Sequence, residues 1–314
     1  MDASHQAQPL LGIALKVAST LVFTIMATLI KLLSDRYPIG ELTFFRSAFA
    51  LIPVLAWAGS RGQLPGVFYT QRMLGHMLRS IAGATAMFCG FTALSLLPIA
   101  DATAIGYAAP LMTVILAVFL LGERVHVYRW SAVIIGLAGV LVILSDYVGA
   151  DAGGHQRSVV GAMFGIASAF IGALASTQVR VLTRYEGAAT IVVCFSIFTA
   201  LFSLVTLPFG WVLPDVGDAM LLVIAGVCGG LGQVLLTQSY RFGDASTIAP
   251  FDYISMIWVL VVSLAIFGTW PSGIVLVGTA IVVAAGLFVI WREQRLGIER
   301  TRSKRAQTPT TPLS

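Results

Sequence analysis

Charge is what this chain has least of. Asp, Glu, Lys and Arg make up 11% of its 314 residues, where soluble domains carry about 25%. A soluble fold of this length could not cover its surface with so few polar groups. The 58% hydrophobic content and the mean hydropathy of +0.91 agree, and the chain reads as an integral membrane protein. The formal net charge of +5 does not indicate nucleic acid. The basic residues sit mainly between apolar runs and in the tail, where they set membrane orientation.

Other absences narrow the function. The three cysteines, Cys89, Cys194 and Cys228, fall inside apolar runs without CxxC spacing, so neither a disulfide framework nor a metal site is expected. The four histidines, His5, His76, His126 and His155, are scattered. No GxxxxGK[ST] loop occurs, which excludes ATP as a drive within this chain. An intramembrane enzyme would need a nucleophile–base pair or a ligand cluster inside the spans, and only His76 approaches one. No enzymatic activity and no cofactor are therefore expected. A channel is disfavoured by the lack of a repeated selectivity loop. The opening MDASHQAQPL has no basic n-region, so the first apolar run reads as a retained span rather than a signal peptide.

What is present is a set of long apolar runs. About 20 apolar residues make one helical crossing, and on that ruler ten spans are predicted. They lie near 10–34, 39–58, 73–97, 99–121, 130–147, 159–182, 189–210, 219–240, 245–267 and 271–291. The runs lack the alternation of barrel strands. With the N-terminus inside, 14 Lys and Arg fall on the cytoplasmic side and 3 outside, with Lys16 and Arg46 within spans. That bias predicts a multi-pass inner-membrane protein with both termini cytoplasmic. Residues 78–105 and 221–248 align without a gap and share seven identities, among them Asp101-Ala102 and Asp244-Ala245. Five spans per half would place the two copies in opposite directions, the inverted-repeat plan of secondary transporters. The expected fold is all-α with ten transmembrane helices in two inverted five-helix repeats. Residues 1–9 form a cytoplasmic N-terminus, 10–147 the first repeat, 148–158 a Gly-rich linker, 159–291 the second repeat and 292–314 a basic cytoplasmic tail. That tail reads as a disordered anchor against anionic lipid.

Polar residues inside the spans are the candidates for a site, because each is costly in hydrocarbon unless paired or wet. Arg46 lies about 10 Å into the second span at 1.5 Å per residue. It reads either as a substrate or gating contact or as one half of an ion pair with Glu41 or Asp252. Asp252 follows Pro250, which cannot donate a backbone hydrogen bond, and a broken helix with a carboxylate is a common way to build a site. Proton coupling through Asp252 and facilitated diffusion both stay open. Tyr107, Tyr253 and Trp258 supply aromatic surface near it. Arg79 either snorkels from the inner end of the third span or faces substrate. Lys31 reads as snorkelling, and Lys16 as within reach of the cytoplasmic surface. Gln178, Gln233 and Gln238 suit either substrate or interhelical hydrogen bonds, and Gly226 and Gly230 suit close packing. The predicted path passes between the second, third, fourth and ninth spans.

The ordered set Pro38-Ile-Gly-Glu41, Phe45-Arg46, Leu78-Arg79, Tyr107-Ala-Ala-Pro110 and Gly122-Glu123 resembles the drug/metabolite transporter superfamily with EamA-type halves. The second half continues it with Ala249-Pro-Phe-Asp-Tyr253, Trp258 and Trp291-Arg-Glu293. Gly268-Thr269 departs from the pattern, lacking the acidic residue that usually follows Gly. The resemblance implies a ten-helix transporter of a small metabolite, with the lipid bilayer and that substrate as partners. No nucleic acid is expected, and homodimerisation stays open. Its bacterial branch of riboflavin uptake proteins makes riboflavin the first expectation. S-adenosylmethionine, or an amino acid or metabolite moved in either direction, is the alternative.

Overall fold

The structure is a computed structural model and describes residues 9–121, 127–147, 155–183, 185–242 and 245–307. Every described regular element is helical. In chain order they are α1 (Pro9–Leu33), α2 (Ile39–Ser60), α3 (Leu64–Val67), α4 (Met73–Leu96), α5 (Ile99–Gly106), α6 (Ala108–Leu121) and α7 (Val127–Ser145). Then follow α8 (His155–Leu182), α9 (Ala188–Leu204), α10 (Val216–Phe242), α11 (Ala245–Ile248), a 3-10 turn over Ala249–Ile254, α12 (Ser255–Ala265) and α13 (Gly273–Gln307).

Eight stretches are long and apolar enough to cross a bilayer, α5 and α6 together making one of them. Two shorter apolar helices, Ala188–Leu204 and Pro250–Ala265, occupy the places of the predicted seventh and ninth spans. The seventh is short because the chain leaves the helix after Leu204 and runs through turns, not helix, to residue 210. The ninth is short because a 3-10 turn over Ala249–Ile254 interrupts its α-helix. The outside of the bundle is apolar, with Phe119, Ile134, Val261 and Val277 exposed, as hydrocarbon requires. Several hydroxyls inside it return to their own helices, while Ser19 and Ser168 reach carbonyls of neighbouring helices. Thr24 and Thr28 of α1 donate to the carbonyls of Thr20 and Thr24 at 2.9 and 2.8 Å, which satisfies each donor without water.

The packing has a two-fold pattern in sequence. Helix α1 packs on α10 as α8 packs on α4, while α2 packs on α9 and α7 on α13. Gly226 and Gly230 bring α10 against α2: a Cβ at Gly226 would stand 2.6 Å from that of Phe49, and one at Gly230 would strike the Ala50 carbonyl. The close-packing role expected of this pair is what the structure displays.

Both copies of the 28-residue repeat also fold alike. In each, a long helix is followed in sequence by a short helix that soon gives way to another element. In the first copy, Pro110 cannot donate to the Gly106 carbonyl, and α5 gives way to α6 there. In the second, Pro250 opens the 3-10 turn.

Two expectations change. The tail is helical rather than disordered as far as Gln307, since residues 292–307 contain no Pro and are rich in Arg, Glu and Gln. The predicted linker is already helix from His155, and its residues 148–154 lie outside the described residues, as do Gly122, Glu123 and Asp244.

At one end of the bundle, loops and helix ends are tied together. Arg36 and the Tyr37 hydroxyl both reach the Asp218 carboxylate, at 2.8 and 2.9 Å. Glu41 accepts from the Val212 amide at 3.1 Å. Tyr147 donates to Asp101, and Ser272 donates to Asp146 at 2.7 Å. Burial, together with the carboxylate each donates to, pushes the Tyr37 and Tyr147 phenols above their ordinary range. Both therefore stay protonated donors at neutral pH. Lys31 does not snorkel: its ammonium caps the end of α4, donating to the carbonyls of Ser95 and Leu97 at 3.1 and 2.8 Å.

Candidate functional site

The polar residues of the interior fall into two clusters. The first forms around the broken helix. Asp252 and Tyr253 sit in the 3-10 turn opened by Pro250, where α-helical bonds are interrupted and side chains leave at altered angles. The Asp252 carboxylate meets the Lys16 ammonium at 2.5 Å, and the two side chains are 52% and 3% exposed. The buried partner is thus the lysine, while the carboxylate faces open space. Lys16 also lies 5.4 Å from the Tyr240 ring centroid. Tyr253 stands edge-on to Tyr107, centroids 5.2 Å apart. Its phenol occupies a notch at Gly286 of α13 that any Cβ would fill. The Ser255 hydroxyl donates to the Asp252 carbonyl at 2.6 Å, so the 2.7 Å bond between Tyr107 and Ser255 is donated by Tyr107, because a serine has one proton to give. Trp258 donates its indole N–H to Thr20 at 3.2 Å, tying α12 to α1. The cluster is a carboxylate and an ammonium framed by three tyrosines.

The second cluster lies between α2, α4 and α9. Arg46 enters from α2 and is 5% exposed. Arg79 enters from α4, and its guanidinium carbon stacks 3.7 Å from the centroid of Phe195 on α9. That of Arg46 lies 5.9 Å from the same ring. Space for Arg46 is made by Gly229 of α10, where a Cβ would stand 3.0 Å from Nε. Stacking and cation–π attraction hold such a guanidinium in place but consume none of its donors. Nε of Arg46 and both Nε and Nη1 of Arg79 are buried without a hydrogen-bond partner. Among the described residues, no acidic side chain forms an ion pair with either arginine.

Sequence reading placed all six candidates in one path, and the structure divides them. Tyr107, Asp252, Tyr253 and Trp258 come together, whereas Arg46 and Arg79 form a separate pair. Neither expected partner of Arg46 is engaged with it: Asp252 binds Lys16, and Glu41 is held at the tied end by Val212. Arg79 does not snorkel, and Lys16 is buried rather than at the surface. The residues missed were Phe195, which has no polar atom to attract notice, and Lys16 as the partner of Asp252. Gln238 buries an unpartnered Oε1.

An open groove of about 460 Å³ lies between α1, α4, α5, α6 and α8, bordered by Ala27, Met87, Gly90, Thr103, Gly106 and Ser168. This is within the range of small-ligand sites. None of the six candidates lines it, though Gly106 precedes Tyr107. The space involves the first and sixth spans, which the predicted path left out.

A bundle of apolar-faced helices with charges of both signs inside is an arrangement that suits a membrane transporter. Comparison with known proteins agrees: residues 10–145 match the EamA-like transporter family, and the relatives the chain resembles are named transporters. It is 28% identical over 269 residues to a protein of Rickettsia bellii named S-adenosylmethionine uptake transporter, covering 84% of this chain and 88% of that one. It is 27% identical over 281 residues to the pseudopaline exporter CntI of Pseudomonas aeruginosa, covering 87% and 94%. A solved crystal structure shares the fold, with a TM-score of 0.66 at 24% identity over 91% of this chain and 97% of that one. Riboflavin, the first expectation, finds no support in these relatives, and the alternative, S-adenosylmethionine, does. The motifs that carried the resemblance belong to the whole superfamily, and aromatic side chains suit many flat rings, so neither could single out a flavin.

Proposed function

We propose that this protein is an inner-membrane secondary transporter of a small metabolite with charges of both signs, and that S-adenosylmethionine uptake is its activity. The observation that carries the reading is the Asp252 carboxylate, half-exposed within a membrane-spanning bundle and framed by Tyr107, Tyr240 and Tyr253. A carboxylate beside aromatic faces attracts a cationic group such as a sulfonium or ammonium. Arg46 and Arg79 supply the complementary positive charge. Trp258 acts by holding α12 against α1 rather than by touching substrate.

The two halves are 10–147 and 159–291, joined by 148–158, and they form ten spans in two inverted repeats. The matched breaks near Tyr107 and Pro250 support this, as does the helix pairing that maps onto itself when the halves are exchanged. Two opposed broken helices then frame a central site, and rocking of one half against the other exposes it to each side in turn. Both termini are cytoplasmic. With Arg79 moved into the membrane, 13 of the 14 basic residues still lie on that side against 3 outside. The end tied by Arg36, Tyr37 and Asp218 is then the outer end.

Two measurements test the reading. Radiolabelled S-adenosylmethionine should enter vesicles containing the protein in a saturable manner, accelerated by unlabelled compound on the far side. Non-saturable entry without counterflow contradicts a carrier. In spheroplasts, a cysteine introduced at position 150 should react with an impermeant maleimide and one at 300 should not. The opposite pattern reverses the topology.

A further inference from the structure

We propose that the Arg46–Arg79 pair is a carboxylate-binding subsite, which takes the α-carboxylate of an amino-acid-bearing substrate against the face of Phe195. This rests on the transport reading and names the group that the second cluster receives.

Burying one ion without a partner costs several kcal/mol, and two guanidiniums beside one ring also repel each other. A structural arginine in a membrane is normally paired with an acid or with backbone carbonyls. Here neither forms an ion pair with a carboxylate among the described residues, and three of their nitrogen donors are unbonded. The surroundings do not relieve them. Ser47, Ser80 and Thr199, on the same three helices, are fully buried, and their hydroxyls also lack partners. Such hydroxyls ordinarily bond the carbonyl one turn back. His76 is also fully buried, with Glu186 3.8 Å from its Nε2, so that acid is directed to the histidine and to Thr70 at 2.6 Å.

The guanidinium donors therefore have no carboxylate partner among the described residues, and the unpartnered hydroxyls of the same helices can donate to an incoming group as well as accept. An anionic ligand satisfies these donors. Guanidinium geometry matches a planar carboxylate with parallel hydrogen bonds, and the Phe195 stack fixes one fork before the ligand arrives. Depth supports a substrate group. Arg46 is the eighth residue of α2 and Arg79 the seventh of α4, helices that run in opposite directions. The two arginines reach Phe195 from opposite ends of the bundle, near its middle, where a carrier's site must lie to be reached from both sides.

The test uses the full-length purified protein and pairs of compounds that differ only in charge: L-methionine and benzoate against L-methioninamide and benzamide. The acids should raise the thermal unfolding midpoint by about 2 °C or more at saturation, and the amides should not. Arg46→Met and Arg79→Met should abolish the shift, while their ligand-free midpoints stay level or rise. Equal shifts from acids and amides, or shifts retained in both variants, overturn the subsite. So does an equal, competing shift from chloride or inorganic phosphate, which would mark a general anion site. In vesicles, the wild type should prefer S-adenosylmethionine to its decarboxylated counterpart by about tenfold, and Arg79→Met should erase that preference. If the binding shifts appear as expected but neither compound enters, the subsite stands and the transport reading fails. If both enter and the arginine variants keep the preference, transport stands and the subsite fails.

Discussion

The two polar clusters of the interior solve the problem of charge in a membrane differently. Lys16 is buried and its charge is met at 2.5 Å by Asp252, whose other side faces open space. Arg46 is buried and Arg79 half-buried, both guanidiniums lie near the Phe195 ring, and no acid among the described residues pairs with either. The first cluster is electrically complete in the resting protein, and a cation must compete with Lys16 to reach its carboxylate. The second leaves guanidinium donors without a hydrogen-bond partner. On the proposed reading, a substrate carrying both charges would engage each cluster by a different route, displacement in one and completion in the other.

This contrast can be broken by removing one member of each cluster. Asp252→Asn should have the largest effect, since it leaves the Lys16 ammonium buried and alone. Transport should fall at least tenfold. Stability should drop by about 1–3 kcal/mol, below the cost of breaking a fully buried pair because Asp252 is half-exposed. Adding Lys16→Met should restore the unfolding midpoint without restoring transport. Recovery of both would make the pair structural alone.

The arginines should behave in the opposite sense. Arg46→Met and Arg79→Met remove unpaired charges, so transport should fall about tenfold while the midpoint is unchanged or raised, as when a buried ion is replaced by a well-packed apolar side chain. Destabilisation by several kcal/mol would place an undetected partner beside them. Arg79→Lys retains charge but loses the planar stack on Phe195, and should recover less than half of the lost rate.

The smallest effect should come from the tied end. Arg36 is 65% exposed where it pairs with Asp218, and exposed pairs contribute about 0–1 kcal/mol. Arg36→Ala should leave the midpoint within that range and change the transport rate by less than about threefold, since Tyr37 still holds Asp218. A large loss of rate with normal stability would instead make this contact part of the gate.

Much of the bundle was legible in the sequence because hydrocarbon imposes a length and a composition on every crossing. The break at Pro250 was legible for the same kind of reason, as a residue without an N–H. Tertiary pairing was not. Arg46 and Asp252 have opposite charges and helical depths that allow contact, yet Asp252 is nearer a lysine more than 230 positions away in sequence. Phe195 carries no chemical signal until two guanidiniums are seen to share it. The helical tail shows a third limit, since basic composition indicates the membrane surface but says little about whether the backbone is ordered.

The most direct test of the account is exchange in a defined system. Proteoliposomes preloaded with unlabelled S-adenosylmethionine should accumulate the labelled compound transiently above its external concentration, and Asp252→Asn and Arg46→Met proteoliposomes should not. Label that only equilibrates at the same rate in wild type, both variants and empty liposomes would contradict carrier-mediated transport of this substrate.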